Sequence, residues 1–218
     1  MAVYTGNPRF AARLLPREII GGLTPVTMVS PTLEGLLEAM LGQDGQLLQA
    51  PARNLSWDHI LLSEFSSRSN YDQLIELARR PRGIPDRVVS LVGSGLGFHG
   101  FKGRPWAALP GNIHMAVHLT PNQPVGRFEI AFTILAAISV VDALDEVGLA
   151  DISPTIKWVN DVLLGEGKVA GVLAYTQTQA ALVTSAVLGI GINVEATPDV
   201  DPTPFVPEVT SLREHLPP

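Results

Sequence analysis

The stretch Lys157-Trp-Val-Asn-Asp-Val-Leu-Leu-Gly-Glu-Gly-Lys-Val-Ala-Gly-Val-Leu173 reads as two apolar strands joined by a tight turn. Val162-Leu163-Leu164 and Val169 to Leu173 have strand composition, and Gly165-Glu166-Gly167 supplies the positive-φ positions that a short hairpin needs. Lys157, Asn160, Asp161 and Lys168 decorate this otherwise water-avoiding hairpin. Charges and amides at the ends of buried strands are costly unless they are paired or meet a ligand. A polar ring around the hairpin mouth is therefore a candidate site.

Downstream, Ala181 to Val194 reads as a further strand ending in Leu188-Gly-Ile-Gly-Ile-Asn-Val194. Glycine within a strand forfeits packing, so Gly189 and Gly191 predict a ligand or another backbone lying directly against them. Glu195 to Pro207 is a proline-rich loop, and Thr210-Ser-Leu-Arg213 opens an expected final helix that stops at Pro217. The chain is expected to be cut short there.

Upstream, Arg127 to Val147 has helical period, with Ile130, Ile134, Ala137, Ile138, Val141 and Leu144 on one face and Gly148 as terminator. Gly111 to Leu119 alternates, which predicts a half-buried strand with Asn112, His114, Ala116 and His118 on the wetter face. His114 and His118 would stand about 13 Å apart along such a strand, too far to share a metal, and read as partly exposed histidines. Before it come a strand over Arg87 to Val92, a helix over Asn70 to Arg80 that Asn70 could cap, and a strand over His59 to Phe65. Residues 1–56 form a less regular extension whose role is unreadable. It holds one helical stretch, Thr32 to Leu41, with start signals in Ser30-Pro31-Thr32 and a stop at Gly42. Residues 57–218 form the main domain.

Between two strands lies Gly93-Ser-Gly-Leu-Gly-Phe-His-Gly-Phe-Lys-Gly-Arg-Pro-Trp106. Such a loop can bring backbone N–H groups to an anion, with charge from Lys102 and Arg104, or it can be a flexible surface loop. Neither the dinucleotide fingerprint nor the P-loop fits. Phe98 stands where the first needs its last glycine, and Val162 and Val169 break the second around Gly167-Lys168.

The chain has 218 residues, 46% hydrophobic and 17% charged, which excludes disorder. Its longest uncharged apolar run, Ile130 to Val141, is too short to span a bilayer, so no membrane partner is expected. The N-terminus lacks a compact apolar core and does not read as a signal peptide, which favours a cytoplasmic location. With no cysteine, disulfides, thiolate metal sites and a Cys nucleophile are excluded. A formal charge of −6 argues against a general nucleic-acid binder, and no paired helices with a basic face suggest a helix-turn-helix. One short cluster, His99 to Arg104, is the candidate to meet anionic groups.

From His59 to Arg213 the chain resembles the catalytic domain of biotin protein ligases, in the biotin/lipoate ligase superfamily. The family's glycine-arginine loop aligns without a gap on Phe98 to Trp106, and its KWPND hairpin pattern on Lys157 to Leu173. Its GxGIN strand aligns on Gly189 to Asn193, and its TSL on Thr210-Ser211-Leu212. The resemblance implies an α+β fold of the class II aminoacyl-tRNA synthetase/biotin synthetase type, a mostly antiparallel sheet flanked by helices. It implies ATP, Mg²⁺ and biotin, activation of biotin as biotinyl-5′-AMP, and transfer to a lysine of a biotin carboxyl carrier protein. Lipoate or octanoate ligation on the same fold, and a non-catalytic ligand-binding homologue, stay open, as does the oligomeric state, a homodimer included.

By resemblance Lys168 is the catalytic lysine, Lys157 and Arg104 assist with phosphate, and Asp161 orients Lys168 or assists Mg²⁺ and the incoming amine. Asn160 and Asn193 contact nucleotide, Trp106 stacks on adenine, and Gly189 and Gly191 line the acid pocket. Ser69, Asn70, His99, Gly100, Lys102, Gly103 and Gly171 complete the implied binding set, with the metal ligands unknown. The sequence departs from the family where His99 and Phe101 replace arginines, Val159 replaces a proline, Arg68-Ser69-Asn70 replaces Ser-Thr-Asn, and Gly95 falls near a family glutamine. The family's small C-terminal barrel is not expected within these residues, nor is an N-terminal DNA-binding domain.

Overall fold

Strands buried on both faces set the architecture. The computed structural model describes residues 2–42, 46–52, 56–149, 152–202 and 208–216. Its elements in chain order are β1 (Ala2–Thr5), α1 (Pro8–Leu14), α2 (Arg17–Ile20), β2 (Thr24–Pro25), α3 (Pro31–Leu41), β3 (Leu48–Pro51), β4 (His59–Ser66), α4 (Asn70–Ala78), β5 (Val88–Gly95), β6 (Ile113–Leu119), α5 (Phe128–Val147), β7 (Pro154–Lys157), β8 (Asp161–Leu164), β9 (Gly167–Gln179) and β10 (Leu182–Ile192). The strands form one sheet in the order β2-β3-β1-β4-β5-β6-β10-β9-β8-β7. β4 runs parallel to both β1 and β5, and the remaining pairs are antiparallel, which gives the α+β class and mostly antiparallel sheet expected. Because β1 lies between β3 and β4, residues on both sides of position 56 share this sheet.

Helices cover the two faces. α3 starts as its sequence dictates, with Ser30 Oγ accepting from Leu33 N at 3.3 Å, Pro31 in the first turn and Gly42 at the end. Its Leu33, Leu36, Leu37 and Met40, with Leu74 and Leu77 of α4, cover Leu61, Val88, Ala116 and Val187. Burying each such leucine contributes about 1.5–3 kcal/mol. On the opposite face Phe132, Ala136, Val140 and Leu144 of α5 join a cluster with Val162, Val172 and Leu188. No helix among the described residues is long and apolar enough to cross a membrane.

Several expectations change. β6 is not half-buried, because α4 packs on the face read as wet, leaving His114 and His118 each 2% exposed. His118 is held there by Pro85 O at 2.8 Å and Ser185 Oγ at 3.0 Å. α5 buries Phe132, Ala136 and Val140, while Ile138 is exposed. Its apolar residues run nearly all round, so period alone could not orient it. The expected final helix is a single 3₁₀ turn, Leu212–Glu214. The expected loop from Glu195 to Pro207 and the stop at Pro217 lie partly outside the described residues.

Candidate functional site

One row of residues crosses four strands on the face under α4. His114 of β6 pairs with Gly191 of β10, Gly191 with Gly171 of β9, and Gly171 with Asp161 of β8. The two central glycines leave a trench between a histidine and a carboxylate. Aromatic side chains lie against these glycines, which also line the trench. A Cβ at Gly191 would stand 2.5 Å from Trp106 Cζ2, and one at Gly189 would stand 2.9 Å from Tyr71 Cδ2.

The hairpin carries the charge of the site. Its turn is Gly165-Glu166, with positive φ at Gly165 (58°) but not at Gly167, where the expectation placed a second such position. Gly167 serves close approach instead, since a Cβ there would stand 2.8 Å from Thr210. Past the turn, the β8–β9 register shifts, so that Val162 faces Ala170 but Leu163 faces Lys168. This bulge at Val169 lets both Val169 and Ala170 enter the α5 core, and leaves Lys168 on the same face as Gly171 and Asp161. Lys168 Nζ lies 2.7 Å from Asp161 Oδ1, with the side chains 13% and 8% exposed. The contact lies off the hydrogen-bonding axis, so it is an ion pair rather than an aligned hydrogen bond. Lys168 Nζ also lies 5.7 Å from the centre of the Trp106 ring. Lys157 pairs with Asp161 across β7–β8, and the Trp158–Val159 peptide is cis. Asn160 is buried beside the trench, and its carbonyl accepts from Val172 N at 2.8 Å.

α4 and the glycine loop wall the trench. Ser69, not Asn70, caps α4, its Oγ accepting from Asp72 N at 3.4 Å. Asn70 turns inward, donating to Ser90 O at 3.1 Å and His114 O at 3.2 Å, so its amide fixes the wall. His99 is tied to the same helix, with Nε2 3.0 Å from both Asp72 carboxylate oxygens and Nδ1 3.2 Å from Gly100 O. The hydrogen bond to Asp72 raises the His99 pKa above its ordinary value against the pull of partial burial. The loop is no open anion cradle at its tip. Gly100 N, Gly103 N, Arg104 N and Trp106 N donate to Arg104 O, Gly100 O, Phe101 O and Phe98 O. Lys102 extends over the Phe101 ring, and Arg104 Nε donates to Phe101 O at 3.2 Å.

Two cavities meet at Gly100 and Trp106. The trench, a cavity of about 40 Å³ with the indole of Trp106 in place, is lined by Ser69, Asn70, His99, His114, Asn160 and the three glycines, among others. The second, of about 430 Å³, lies between the loop and the C-terminal segment and is lined by Arg104, Lys168, Asn193 and Val209, among others. Asn193 is 1% exposed, and its Nδ2 donates to Thr210 O at 3.0 Å, so it joins that cleft to its backing segment. Most expected site residues thus converge here.

His114 was not among them. Read as a half-exposed strand residue, it proves to be the buried end of the trench, 2% exposed, its pKa lowered by burial. Strand alternation placed it on the correct face with Ala116; only the sheet register reveals Gly191 as its neighbour. Among the described residues no three His, Cys, Asp or Glu side chains gather as a metal site.

Residues 94–193 match the family model described as the biotin/lipoate A/B protein ligase family. The chain is 36% identical over 112 residues to the bifunctional ligase/repressor BirA of Bacillus subtilis, a match that covers 51% of this chain and 34% of that protein. It is 35% identical over 100 residues to the biotin–[acetyl-CoA-carboxylase] ligase of Paracoccus denitrificans, covering 46% of this chain and 41% of that protein. The matches thus span well under half of these relatives. Among solved structures, a biotin protein ligase from Aquifex aeolicus in complex with biotin and ATP shares the fold, with a TM-score of 0.51, 21% identity, and coverage of 72% of this chain and 61% of that one.

Proposed function

We propose, from the premise that residues 94–193 carry the biotin/lipoate A/B protein ligase family's segment, that this chain activates biotin with ATP and transfers it to a lysine of a carrier protein. The observation that carries the reading is the Lys168–Asp161 ion pair, whose ammonium stands 3.2 Å from the Cβ position of Gly171 in the trench and lines the second cavity, the trench being read as the acid site and the second cavity as the nucleotide site.

In the first step a carboxylate oxygen of the acid attacks the α-phosphorus of ATP, an O–P bond forms, and pyrophosphate leaves. Lys168 stands where it can contact both reactants, and its ammonium offsets charge that builds on the phosphoryl oxygens. Preorganised charge of this kind is effective because the site is largely shielded from water. Asp161 and the face of Trp106 hold that ammonium in place. In the second step an uncharged lysine amine of the acceptor attacks the acyl carbon, AMP leaves, and the amine sheds a proton to complete the amide. Arg104 at the mouth of the second cavity supports phosphate, and the inward amide of Asn70 keeps the trench wall fixed. The carboxylate in the row, Asp161, is committed to Lys168, so Mg²⁺ would be carried chiefly on the phosphates of ATP. The acceptor lysine, a cytoplasmic location and self-association belong to the same reading.

The test is exchange of labelled pyrophosphate into ATP, measured with biotin, lipoate and octanoate in turn. Biotin-dependent exchange is expected. Its absence with all three acids would sink the assignment as an activating enzyme, and exchange with octanoate or lipoate alone would reassign the substrate.

A further inference from the structure

His114 closes one end of the trench, three strands from Asp161 across Gly191 and Gly171. At about 4.8 Å per strand, the row spans roughly 14 Å. The protonation of its imidazole is fixed by its partners. Nε2 lies 3.1 Å from Leu109 O, which can only accept, so Nε2 bears the hydrogen. Nδ1 faces Trp106 Nε1–H at 3.4 Å, which can only donate, so Nδ1 is an acceptor. Burial lowers the pKa and holds the ring neutral, with Phe98 edge-on at 5.6 Å.

The Trp106 indole lies along the trench. Its N–H points to His114, its ring stands 3.4 Å from the Cβ position of Gly171 and 2.5 Å from that of Gly191, and its face looks to the Lys168 ammonium. An elongated acid bound with its carboxylate toward Lys168 needs the space and the polar contacts that this indole takes.

We propose that His114 is the residue that reads the head of the acid, its Nδ1 accepting a ligand N–H in place of the indole N–H of Trp106. The trench then selects acids that carry an N–H donor at the end remote from the carboxylate. This rests on the ligase reading above, and it adds that the ureido head of biotin is held by a histidine acceptor. The Trp106–His114 contact is long for a hydrogen bond, so a better aligned donor displaces it.

Calorimetric titration of the full chain with biotin and with biotin methylated at both ureido nitrogens tests this. His114→Phe should weaken biotin at least tenfold, leave the methylated compound within about twofold, and abolish the preference between them. His114→Asn, which keeps an acceptor oxygen near the Nδ1 position, should recover part of the preference, with thermal unfolding confirming that both variants fold. Biotin binding by His114→Phe within about twofold of the parent would overturn the assignment to His114, as would equal loss of both compounds. If the parent chain binds neither biotin nor its methylated form and shows no biotin-dependent exchange, the ligase reading itself falls.

Discussion

Lys168 and Asp161 form a largely buried ion pair, 2.7 Å apart, joined across two strands by the bulge at Val169. Lys168 is therefore tied into the fold by a buried charge partner. Lys168→Ala should abolish pyrophosphate exchange and also cost roughly 3 kcal/mol, because removing one member of a buried pair strands the other. Adding Asp161→Asn should return part of the stability and none of the activity. Urea midpoints beside exchange rates check this, and a single Lys168→Ala variant of parental stability would show that Asp161 is already well solvated.

Gly191→Ala places a methyl group 2.5 Å from Trp106 Cζ2, within contact distance. The expected result is expulsion of the indole from the trench, with a red-shifted tryptophan emission and a loss of about 1–3 kcal/mol from overpacking. The added methyl also narrows the trench, so biotin-dependent exchange should fall at least tenfold. Unchanged emission would mean that the strand, not the indole, yields.

The two kinds of histidine give opposite pH responses. Hydrogen bonding to Asp72 raises the His99 pKa above its ordinary 6.5, so the stability this tie contributes is fully present below pH 6.5 and is lost as pH rises through the raised value. His114 and His118 have pKa values lowered by burial, so their contribution is present above pH 6.5 and is lost as pH falls toward the lowered values. Thermal midpoints should therefore show His99→Gln losing stability relative to the parent at pH 5.5 and little at pH 9. An equal deficit at both pH values would assign His99 a packing role only.

Leu74 anchors α4 and is fully buried. Leu74→Ala should cost about 3 kcal/mol, within the range for buried leucine truncation. Because α4 also presents Ser69, Asn70 and Asp72, acid affinity should fall at denaturant-free conditions as well. A fluorescence-detected urea titration gives the first quantity, and calorimetry with biotin the second.

Much of the site was legible because the hairpin from Lys157 to Leu173 combines strong β-composition with charges that buried strands do not carry without purpose. Lys168 and Asp161 follow from that as members of a polar ring, and Gly189 and Gly191 from the cost of glycine within the next strand, whereas Gly171 came only with the resemblance. The burial of His114 and His118 was not legible, because alternation tells which residues share a face but not what packs on it. That depended on α4 lying across β6, a long-range outcome. The tip of the glycine loop was misread for a similar reason. Glycines permit exposed N–H groups, but the bridge between His99 and Pro105 folds the loop on itself and uses several of them. In α4, either Ser69 or Asn70 could cap, and inward hydrogen bonds to β5 and β6 decided between them.

The two-residue turn at Gly165-Glu166 has reach beyond its own geometry. Lys168 and Gly171 are an odd number of positions apart, so in an unbroken strand they would point to opposite sides. A turn one residue longer would take Gly167 into the loop, draw Val169 into the ladder opposite Leu163, and send Lys168 into the α5 core. The positive φ of Gly165 thus acts as a parity setting for the chemistry: one residue of hairpin length decides whether the trench meets an ammonium or an isopropyl group.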